Sequence, residues 1–308
     1  MIQRREPNFL LGGTSAGGTS FLSAILLQHA EIYLPRRMRP EPNFFFKSWE
    51  YEQGMDYYLN RWFNEVPDSA IAVGERSSSY LYGGTVVAER IKLHLPHTRI
   101  IFVLRNPIER AWANYRFTVL EGLEDLSFDR ALEVESDRTR TASGIWAEIQ
   151  PHDYTGRGYY GKQLTNYLDC IDESQILVLR SEDLRDETDR QLKKVFSFLG
   201  LKDQTPTLQR PSDFTSLSVV DPQVQVQARQ YFGERFDRIV EAIRDGSDPY
   251  RYSESVKDND WTASLERNLA SAKLAMPEST RSLLKKLYKD DICLLSKVVN
   301  FDPMSWLA

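Results

Sequence analysis

The sequence predicts an α/β fold in which a central parallel sheet is flanked by helices. Short apolar strands alternate with amphipathic helices through residues 8–199, and a parallel pair of strands needs a crossover that is usually a helix. From residue 205 onward this alternation stops and helical patterns dominate. We therefore expect a single domain over residues 1–308, with an α/β core over 1–204 and a helical C-terminal portion over 205–308.

The composition is that of an ordinary globular protein. Of the 308 residues, 41% are hydrophobic and 27% are charged, and the net charge is −5. Without a long basic stretch, nucleic acids and highly sulfated polymers are poor partners, whereas a neutral or cationic small molecule is compatible with this charge. Cys170 and Cys293 lie far apart and match neither a disulfide framework nor a metal site, so we expect both to be reduced.

The sequence contains no segment that predicts contact with a membrane. No apolar run approaches transmembrane length, and the N-terminus lacks the apolar core of a signal peptide. We expect a cytoplasmic protein, and the sequence leaves its oligomeric state open.

Residues 8–27 are the stretch with the strongest functional signal. An apolar strand over 8–11 leads into a turn of small residues, after which Phe21, Leu22, Ile25 and Leu26 recur at helical spacing. Such a turn can bind phosphate, because the N–H groups of the first helical turn and the helix dipole favour anions. A plain strand–turn–helix connection would explain one or two glycines. This turn has four, with four hydroxyl residues: Gly12, Gly13, Gly17, Gly18, Thr14, Ser15, Thr19 and Ser20.

The spacing of this turn is P-loop-like but incomplete. Gly12, Gly17 and Thr19 match the NTPase pattern GxxxxGK[ST], whereas Gly18 occupies the lysine position. The residue that would support transfer of a γ-phosphoryl group is therefore absent. The turn is predicted to hold phosphate within a three-layer P-loop-like fold, without being a standard NTPase site.

A rigid glutamate follows the first helix. Glu41 lies between Pro40 and Pro42, which bar a helix, and three phenylalanines then predict that the segment is anchored in the core. A carboxylate fixed in this way suits a general base. The alternative is a surface loop in which Glu41 pairs with one of three nearby arginines: Arg36, Arg37 and Arg39.

Two further strands end in polar groups. The strand over 70–73 leads into Gly74–Tyr80. Polar groups at the carboxyl end of a parallel strand lie where open α/β sheets bind ligands. The alternative is an ordinary polar turn without a ligand. The buried strand over 99–104 ends at Arg105, before Pro107 and a helix. Arg105 suits bidentate contact with phosphate, or else an ion pair with Glu109.

The remaining elements are assigned from periodicity. Residues 135–152 read as a flexible lid or acceptor-facing loop that contains Trp146 and His152. Residues 212–220 read as a loop, and 245–260 as a polar segment. Further strands are predicted over 31–34 and 176–179, and helices over 52–64, 85–95, 109–120, 126–135, 161–170, 186–199, 223–244 and 277–288.

Taken in order, these motifs resemble those of the PAPS-dependent sulfotransferases, over nearly the whole chain. The similar motifs are the loop over 13–19, the segment Glu41-Pro42-Asn43-Phe44-Phe45, the strand end over 74–80, the run LRNPIERAWANY over 104–115, and blocks at 157–164 and 176–184. The likeness is greatest to the heparan-sulfotransferase-like branch and its bacterial, including cyanobacterial, small-molecule relatives. It implies transfer of a sulfuryl group from PAPS, with PAP as the product and no metal.

The resemblance also implies roles for individual residues. Implied cofactor contacts are Gly13, Thr14, Ser15, Ala16, Gly17, Gly18, Thr19, Ser20, Arg105, Ala113, Tyr160 and Lys273. Implied catalytic residues are Glu41, Lys47 and His152, and implied acceptor contacts are Phe45, Ser77, Ser78, Tyr80 and Trp146. Glu41 would be the base of an in-line transfer and His152 the second choice, whereas His94 and His97 read as surface or packing residues.

Three positions depart from the family pattern. Ala16 replaces a lysine of the loop, Ala113 replaces a serine that contacts the 3′-phosphate, and Pro40 replaces a lysine before the glutamate. Asn114 or Tyr115 could substitute for the serine. The candidates for the missing cation are Lys47, Arg39 and Arg76.

Three functions follow from these observations. The first is an active sulfotransferase acting on a hydroxyl or amine of a small neutral or cationic acceptor in secondary metabolism, for which a guanidinium toxin such as a saxitoxin is one example. The second is a PAPS- or PAP-binding protein with lost or weak catalysis, suggested by the three departures. The third is a divergent kinase, which would require ATP and magnesium.

Overall fold

The structure is a computed structural model that describes residues 2–35, 40–202, 217–270 and 274–308. Lys273 and the arginines at 36, 37 and 39 lie outside the described residues. The predictions made for those four side chains therefore stay predictions.

A five-stranded sheet forms the centre of the described fold. The described residues contain strands both inside and outside this sheet: β1 (Ile2–Gln3), β2 (Phe9–Gly13), β3 (Ile32–Tyr33), β4 (Val66–Pro67), β5 (Ala72–Arg76), β6 (Arg99–Leu104), β7 (Ile176–Arg180), β8 (Ser218–Val219) and β9 (Leu269–Ala270). In the central sheet the order is β3-β5-β2-β6-β7, and every neighbouring pair is parallel. The predicted parallel sheet is confirmed, and its carboxyl edge gathers the ends of β2, β5 and β6.

The helices of the described residues are α1 (Thr19–Leu26), α2 (Ser48–Tyr51), α3 (Gly54–Trp62), α4 (Gly84–His94), α5 (Pro107–Leu120), α6 (Phe128–Glu133), α7 (Glu135–Thr141), α8 (Trp146–Ile149), α9 (Tyr160–Leu168), α10 (Ser181–Asp186), α11 (Thr188–Leu199), α12 (Pro222–Phe232), α13 (Phe236–Asp245), α14 (Val256–Asn268) and α15 (Glu278–Leu295). Helices that include α1, α9 and α11 flank the central sheet, as predicted. Short 3-10 turns lie at Gly156–Gly158, Glu173–Gln175, Gly233–Arg235, Pro249–Tyr252 and Pro303–Leu307.

Alternate residues of the central strands face opposite helices. On one face, Phe9 and Leu11 join a buried cluster with residues of α1 and α11, such as Leu22 and Phe196. On the other face, the ring of Phe102 packs edge-on against Tyr167 of α9, with centroids 5.0 Å apart. Both faces of a parallel sheet are therefore covered, which explains why its strands are apolar throughout.

The chain divides into two compact units. The first comprises Met1–Arg110, Thr155–Pro211 and Leu284–Ala308, and the second Ala111–Tyr154 and Ser212–Leu283. The first unit contains the central sheet, and in its described part the second is largely helical. The expectation of one domain over the whole chain stays a prediction.

Several elements differ from those predicted. The helix predicted over 223–244 is broken, because Gly233 adopts a φ of 55° and a 3-10 turn separates α12 from α13. The segment over 135–152, predicted to be a loop, contains α7 and α8. The sequence reading also missed α14 and the antiparallel pair β8–β9, and it ended α15 too early. Polar helices of this kind show little apolar periodicity.

Candidate functional site

The glycine-rich loop lies between β2 and α1, as predicted. Val103 of the neighbouring strand accepts the Thr14 N–H at 2.9 Å, and the Thr14 carbonyl accepts the Gly17 N–H at 2.9 Å. Gly18, the residue before the first turn of α1, has a φ of 107° that favours glycine. The loop is thus a compact turn held against β6.

This loop fits a phosphate group on two structural grounds. A Cβ atom on Gly17 would lie 2.6 Å from both the Val103 carbonyl oxygen and the Thr14 methyl group, so only glycine allows this close approach. No side chain caps α1, and its first turn contains no acidic residue. The N–H groups of an uncapped helix start lack intrahelical partners and suit an anion.

Arg105 lies beside the loop, at the end of β6. Its Nη1 donates to the Ala16 carbonyl at 3.4 Å. Burial lowers the pKa of the Arg105 guanidinium, and the Glu109 carboxylate opposes this shift. The group remains a cation, since the pKa of an arginine lies far above neutrality, and it is positioned to attract phosphate next to the loop.

Tyr160 begins α9 and is fully buried close to the same arginine. Burial raises the pKa of the Tyr160 hydroxyl, while the charges of Arg110 and Arg105 oppose the increase. Arg110 is fully buried. Tyr160 therefore contributes a neutral phenol at the arginine side of the loop.

Glu41 is held at the edge of the loop by hydrogen bonds from the end of β5 and by an ion pair. Its Oε2 accepts from both the backbone N–H and the hydroxyl of Ser78, each at 2.8 Å, and from the Asn43 amide at 3.3 Å. Its Oε1 forms an ion pair with Arg76 Nη1 at 2.8 Å. The same Nη1 atom donates to Ser20 Oγ of α1 at 2.8 Å. One guanidinium nitrogen thus connects Glu41 to the first turn of α1, the helix that follows the glycine-rich loop.

Behind Glu41 lies a fully buried carboxyl that the sequence reading did not identify, that of Glu75. Its oxygens accept from Tyr80 at 2.5 Å, from Ser77 at 2.7 Å and from Tyr58 at 3.3 Å. Burial raises the pKa of Glu75 to about 7, against the effect of these hydrogen bonds. The available signal was a glutamate that interrupts a buried strand between Gly74 and the polar run after Arg76.

Four of the predicted acceptor contacts lie in or near this network. Ser78 bonds to Glu41, and Ser77 accepts the Asn43 N–H at 2.7 Å. The rings of Tyr80 and Phe45 are fully buried and pack edge-on, with centroids 5.8 Å apart. Phe45 and Tyr80 therefore belong to the core that supports Glu41, and direct contact of the four residues with an acceptor stays a prediction.

Lys47 and His94 lie among aromatic side chains. The Nζ of Lys47 is 6.0 Å from the centroid of the Trp49 ring. His94 Nε2 hydrogen bonds with the Tyr51 hydroxyl at 2.9 Å, and its ring packs against Phe45. His94 is thus a packing residue, as expected, and a catalytic role for Lys47 stays a prediction.

The remaining three predicted residues lie in the second unit. Ala113 is half-buried on α5, and nearby Tyr115 donates its hydroxyl to the Leu126 carbonyl at 2.8 Å. Trp146 is 44% exposed on α8. His152 Nε2 donates to the Leu123 carbonyl at 2.9 Å, so the proton of a neutral imidazole is on Nε2 and only Nδ1 could act as a base. Their roles at the site stay predictions.

The described residues contain neither a metal-binding cluster nor a membrane-spanning helix. Within them, no group of three or more His, Cys, Asp or Glu side chains is placed to hold a metal ion. In the same residues, no helix is both long enough and apolar enough to cross a membrane. Cys170 and Cys293 are free cysteines in the described residues, and their reduced state stays a prediction.

Comparison with known families identifies the chain. Residues 6–226 match the model of the sulfotransferase domain, and the chain belongs to that family. This match confirms the resemblance that the sequence motifs indicated. PAPS is the sulfuryl donor of the family, and the uncapped glycine loop with Arg105 beside it provides groups suited to such an anionic nucleotide.

Individual relatives share part of the chain. The human bifunctional heparan sulfate N-deacetylase/N-sulfotransferase 2 is 28% identical over 201 residues, which are 64% of this chain and 22% of that protein. The human heparan sulfate glucosamine 3-O-sulfotransferase 6 is 29% identical over 205 residues, 65% of this chain and 54% of that protein. The matched region thus spans between about a fifth and about half of these relatives.

A solved structure shares the fold. The sulfotransferase from Alicyclobacillus acidocaldarius superimposes with a TM-score of 0.67 at 21% sequence identity, covering 99% of this chain and all of that one. The similarity supports the predicted P-loop-like fold with its parallel sheet and flanking helices.

Proposed function

We propose that this protein transfers a sulfuryl group from PAPS to a hydroxyl or amine of a small acceptor, by in-line transfer with Glu41 as the base. The single observation that supports the proposal most is the bridge made by Arg76 Nη1, which lies 2.8 Å from Ser20 Oγ of the phosphate-loop helix and 2.8 Å from Glu41 Oε1. This bridge connects the Glu41 carboxylate, which is suited to removing a proton, to α1, whose N-terminus is suited to binding an anionic sulfuryl donor.

The first unit supplies the groups that would hold the donor. PAPS, when bound, supplies an activated sulfuryl group. The loop N–H groups and hydroxyls suit its 5′-phosphosulfate, and Arg105, with the Tyr160 phenol nearby, suits a second phosphate. By resemblance to the family, Ala113 occupies the position of the serine that contacts the 3′-phosphate. Lys273 occupies the position of a basic residue in a later loop of the family.

Glu41 would accept the proton of the acceptor group at Oε1. Among the described residues this oxygen bonds to Arg76 alone, whereas Oε2 accepts from Ser78 and Asn43. A second lone pair of Oε1 can thus receive a proton. The fixed orientation of the carboxylate lowers the entropic cost of reaching the reactive geometry.

The family has a lysine at the position of Ala16, and among the described residues Arg76 is the cation proposed to take over its role. Its guanidinium is largely buried, with 11% of the side chain exposed, and it contacts α1 directly. Negative charge that develops beside the loop would be stabilised by this cation without reorganisation. Lys47 and Arg39 are the other candidates, and His152 is the second candidate base.

The acceptor is proposed to be small and neutral or cationic. The net charge of −5 disfavours a polyanionic acceptor and suits an amine or guanidinium compound, of which a saxitoxin is one example. Tailoring of a secondary metabolite in the cytoplasm would fit these properties. Trp146 and Ser78 are the proposed acceptor contacts nearest to solvent.

A second candidate function is PAP or PAPS binding with lost or weak catalysis. It is favoured by Ala16 and Ala113, which remove two polar contacts of the family pattern. Under this alternative the loop and Arg105 would bind nucleotide, but no acceptor would be sulfated.

Labelled PAPS and a panel of phenols, alcohols, amines and guanidinium compounds test the proposal. We expect the wild-type protein to sulfate at least one class, and Glu41→Gln to retain PAP affinity while losing about 100-fold or more of its turnover, the usual contribution of a general base. Glu52→Gln, an exposed glutamate nearby, should leave turnover unchanged. Near-normal turnover by Glu41→Gln would remove Glu41 as the base, and PAP binding with no sulfated acceptor would favour the second function.

A further inference from the structure

Glu75 accepts three hydroxyl donors in a fully buried site. Tyr58 and Tyr80 donate to Oε1, and Ser77 donates to Oε2. The three hydroxyls are the donors in these bonds, so each of their protons points toward Glu75. The orientation of all three hydroxyl groups is therefore set by one side chain.

Two of these hydroxyls also reach the backbone that follows Glu41. Ser77 Oγ accepts the Asn43 N–H at 2.7 Å, and the Tyr80 oxygen accepts the Phe45 N–H at 3.4 Å. Each oxygen can accept because its own proton is committed to Glu75. The third donor, Tyr58, has no hydrogen bond to that backbone among those the described residues show, and its ring stacks on Phe44.

Asn43 transmits this support to the base. Its φ of 45° is uncommon for a side-chain-bearing residue, so the turn depends on outside contacts. Its amide donates to Glu41 Oε2 at 3.3 Å, and its Oδ1 accepts from the Ser79 N–H at 3.4 Å. The hydrogen bond from the Asn43 N–H to the Ser77 hydroxyl therefore fixes the backbone only two residues from Glu41.

We propose that Glu75 is a positioning residue that fixes Glu41 through two hydroxyl relays, from Ser77 to the Asn43 N–H and from Tyr80 to the Phe45 N–H. The inference rests on the role proposed above for Glu41. Glu75 is thus proposed to support sulfuryl transfer indirectly, because its side chain is fully buried behind the segment that contains Glu41.

The two hydroxyl relays depend on the carboxyl group of Glu75 as an acceptor of hydrogen bonds. The groups that face Glu75 are the hydroxyls of Tyr58, Tyr80 and Ser77, together with the negative charge of Glu41, while Arg76 follows it in the chain. Glutamine would place an amide donor against a hydroxyl donor, and that hydroxyl would have to turn its proton toward the backbone N–H. Glu75→Gln should therefore break at least one relay without changing the volume of the core.

Amide exchange and turnover, measured on the full-length protein, test the relay. The variants are Glu75→Gln and Ser77→Ala, with Tyr58→Phe as the matched control that removes a bond to Glu75 outside the relay. Exchange at Asn43 and Phe45 is followed by NMR on deuterated protein, with Arg99–Leu104 as the reference for global opening. Turnover uses PAPS with the best acceptor of the panel.

For Glu75→Gln and Ser77→Ala we expect faster exchange at Asn43, unchanged exchange in β6 and a kcat about 10- to 100-fold lower, the usual consequence of a misplaced catalytic group. The KM for PAPS should change less than about twofold, since the loop is intact, and Tyr58→Phe should match wild type. Unchanged exchange at Asn43 in Glu75→Gln, or an equal effect in Tyr58→Phe, would overturn the proposal.

The two readouts separate this inference from the proposed function. If wild type sulfates no acceptor, the proposed function fails, and exchange at Asn43 still decides whether Glu75 positions the Glu41 segment. If Glu75→Gln does not fold, Ser77→Ala and Tyr80→Phe remove one relay each while keeping Glu75. Unchanged exchange at Asn43 in Ser77→Ala and at Phe45 in Tyr80→Phe then overturns the inference.

Discussion

At the scale of single residues, the buried Glu75 carboxyl should couple folding to pH. Its pKa of about 7 in the folded protein lies above the unfolded value of 4.5. The folded state therefore binds more protons between these values, and the contribution of Glu75 to stability is fully present below pH 4.5 and lost as pH rises through about 7. Burial is the cause, since it penalises the charged form.

The expected size of this effect is on the order of 3 kcal/mol, the free energy that corresponds to such a difference between two pKa values. Urea unfolding from about pH 5 to pH 8 should show wild type losing stability relative to Glu75→Gln as pH rises. Tyr58→Phe, which keeps the buried carboxyl, should follow the wild-type trend. A difference between wild type and Glu75→Gln that does not vary with pH would contradict the prediction.

Residue geometry also bears on a departure from the family pattern. Ala16 has a φ of 61°, a left-handed conformation that is uncommon for any residue with a Cβ atom, so the backbone at this position does not by itself favour alanine over lysine. We propose that Arg76 substitutes for the missing cation, because this residue at the end of β5 reaches Ser20 of α1. The sequence shows only that the lysine is absent, whereas the fold shows which other cation lies beside α1.

At the scale of elements, α9 depends on a cap from another helix. Asp291 of α15 accepts the Gly161 N–H at 2.8 Å and the Lys162 N–H at 2.9 Å, one on each carboxylate oxygen. A carboxylate at a helix N-terminus satisfies orphan N–H groups and complements the helix dipole. Gly161 is required here, since a Cβ would lie 2.5 Å from the Asp291 carbonyl oxygen.

Asp291→Ala should therefore lower the free energy of unfolding by about 1–2 kcal/mol, the usual cost of losing a helix cap. Two N–H groups at the start of α9 would lose their partner, and the one of Gly161 is buried. Asp290→Ala, an exposed aspartate next to it on α15, should change stability far less. Denaturant unfolding of the three proteins measures the effect, and equal stabilities for the two variants would show that the cap contributes little.

At the scale of the whole molecule, a bound nucleotide should stabilise the fold by mass action. PAP at 100 times its dissociation constant is expected to add about 2.7 kcal/mol, with or without magnesium. Arg105→Ala should lose this stabilisation for PAP but not for adenosine 5′-phosphate, because Arg105 is proposed to bind the 3′-phosphate, which adenosine 5′-phosphate lacks. Thermal unfolding with each nucleotide measures the shift.

The control for this comparison lies on the same strand. Arg99 begins β6 at the opposite end from Arg105 and donates to the Leu199 carbonyl at 3.5 Å. Arg99→Ala should keep the full shift with both nucleotides. Equal loss for both nucleotides in Arg105→Ala would reassign Arg105 to a phosphate other than the 3′-phosphate.

Local signals predicted most of the central sheet. The strand at 99–104, the helix that follows Arg105 and the helix end at residue 199 were confirmed. An apolar run, the proline at 107 in the first helical turn and the glycine cap at 200 act through neighbouring residues. The helical portion was predicted less well. Polar α14 and the break at Gly233 depend on packing that periodicity does not encode.

The sequence by itself determined the glycine-rich turn, the order of strands and helices around it, and the family to which the motifs pointed. These properties depend on residues close together in the chain, where spacing and turn chemistry have a direct physical meaning. Only the tertiary structure brought Arg76 between Ser20 and Glu41, and Glu75 behind the segment that carries the base. Such contacts join residues 34 to 56 positions apart, and no local pattern specifies which distant side chain completes a hydrogen bond.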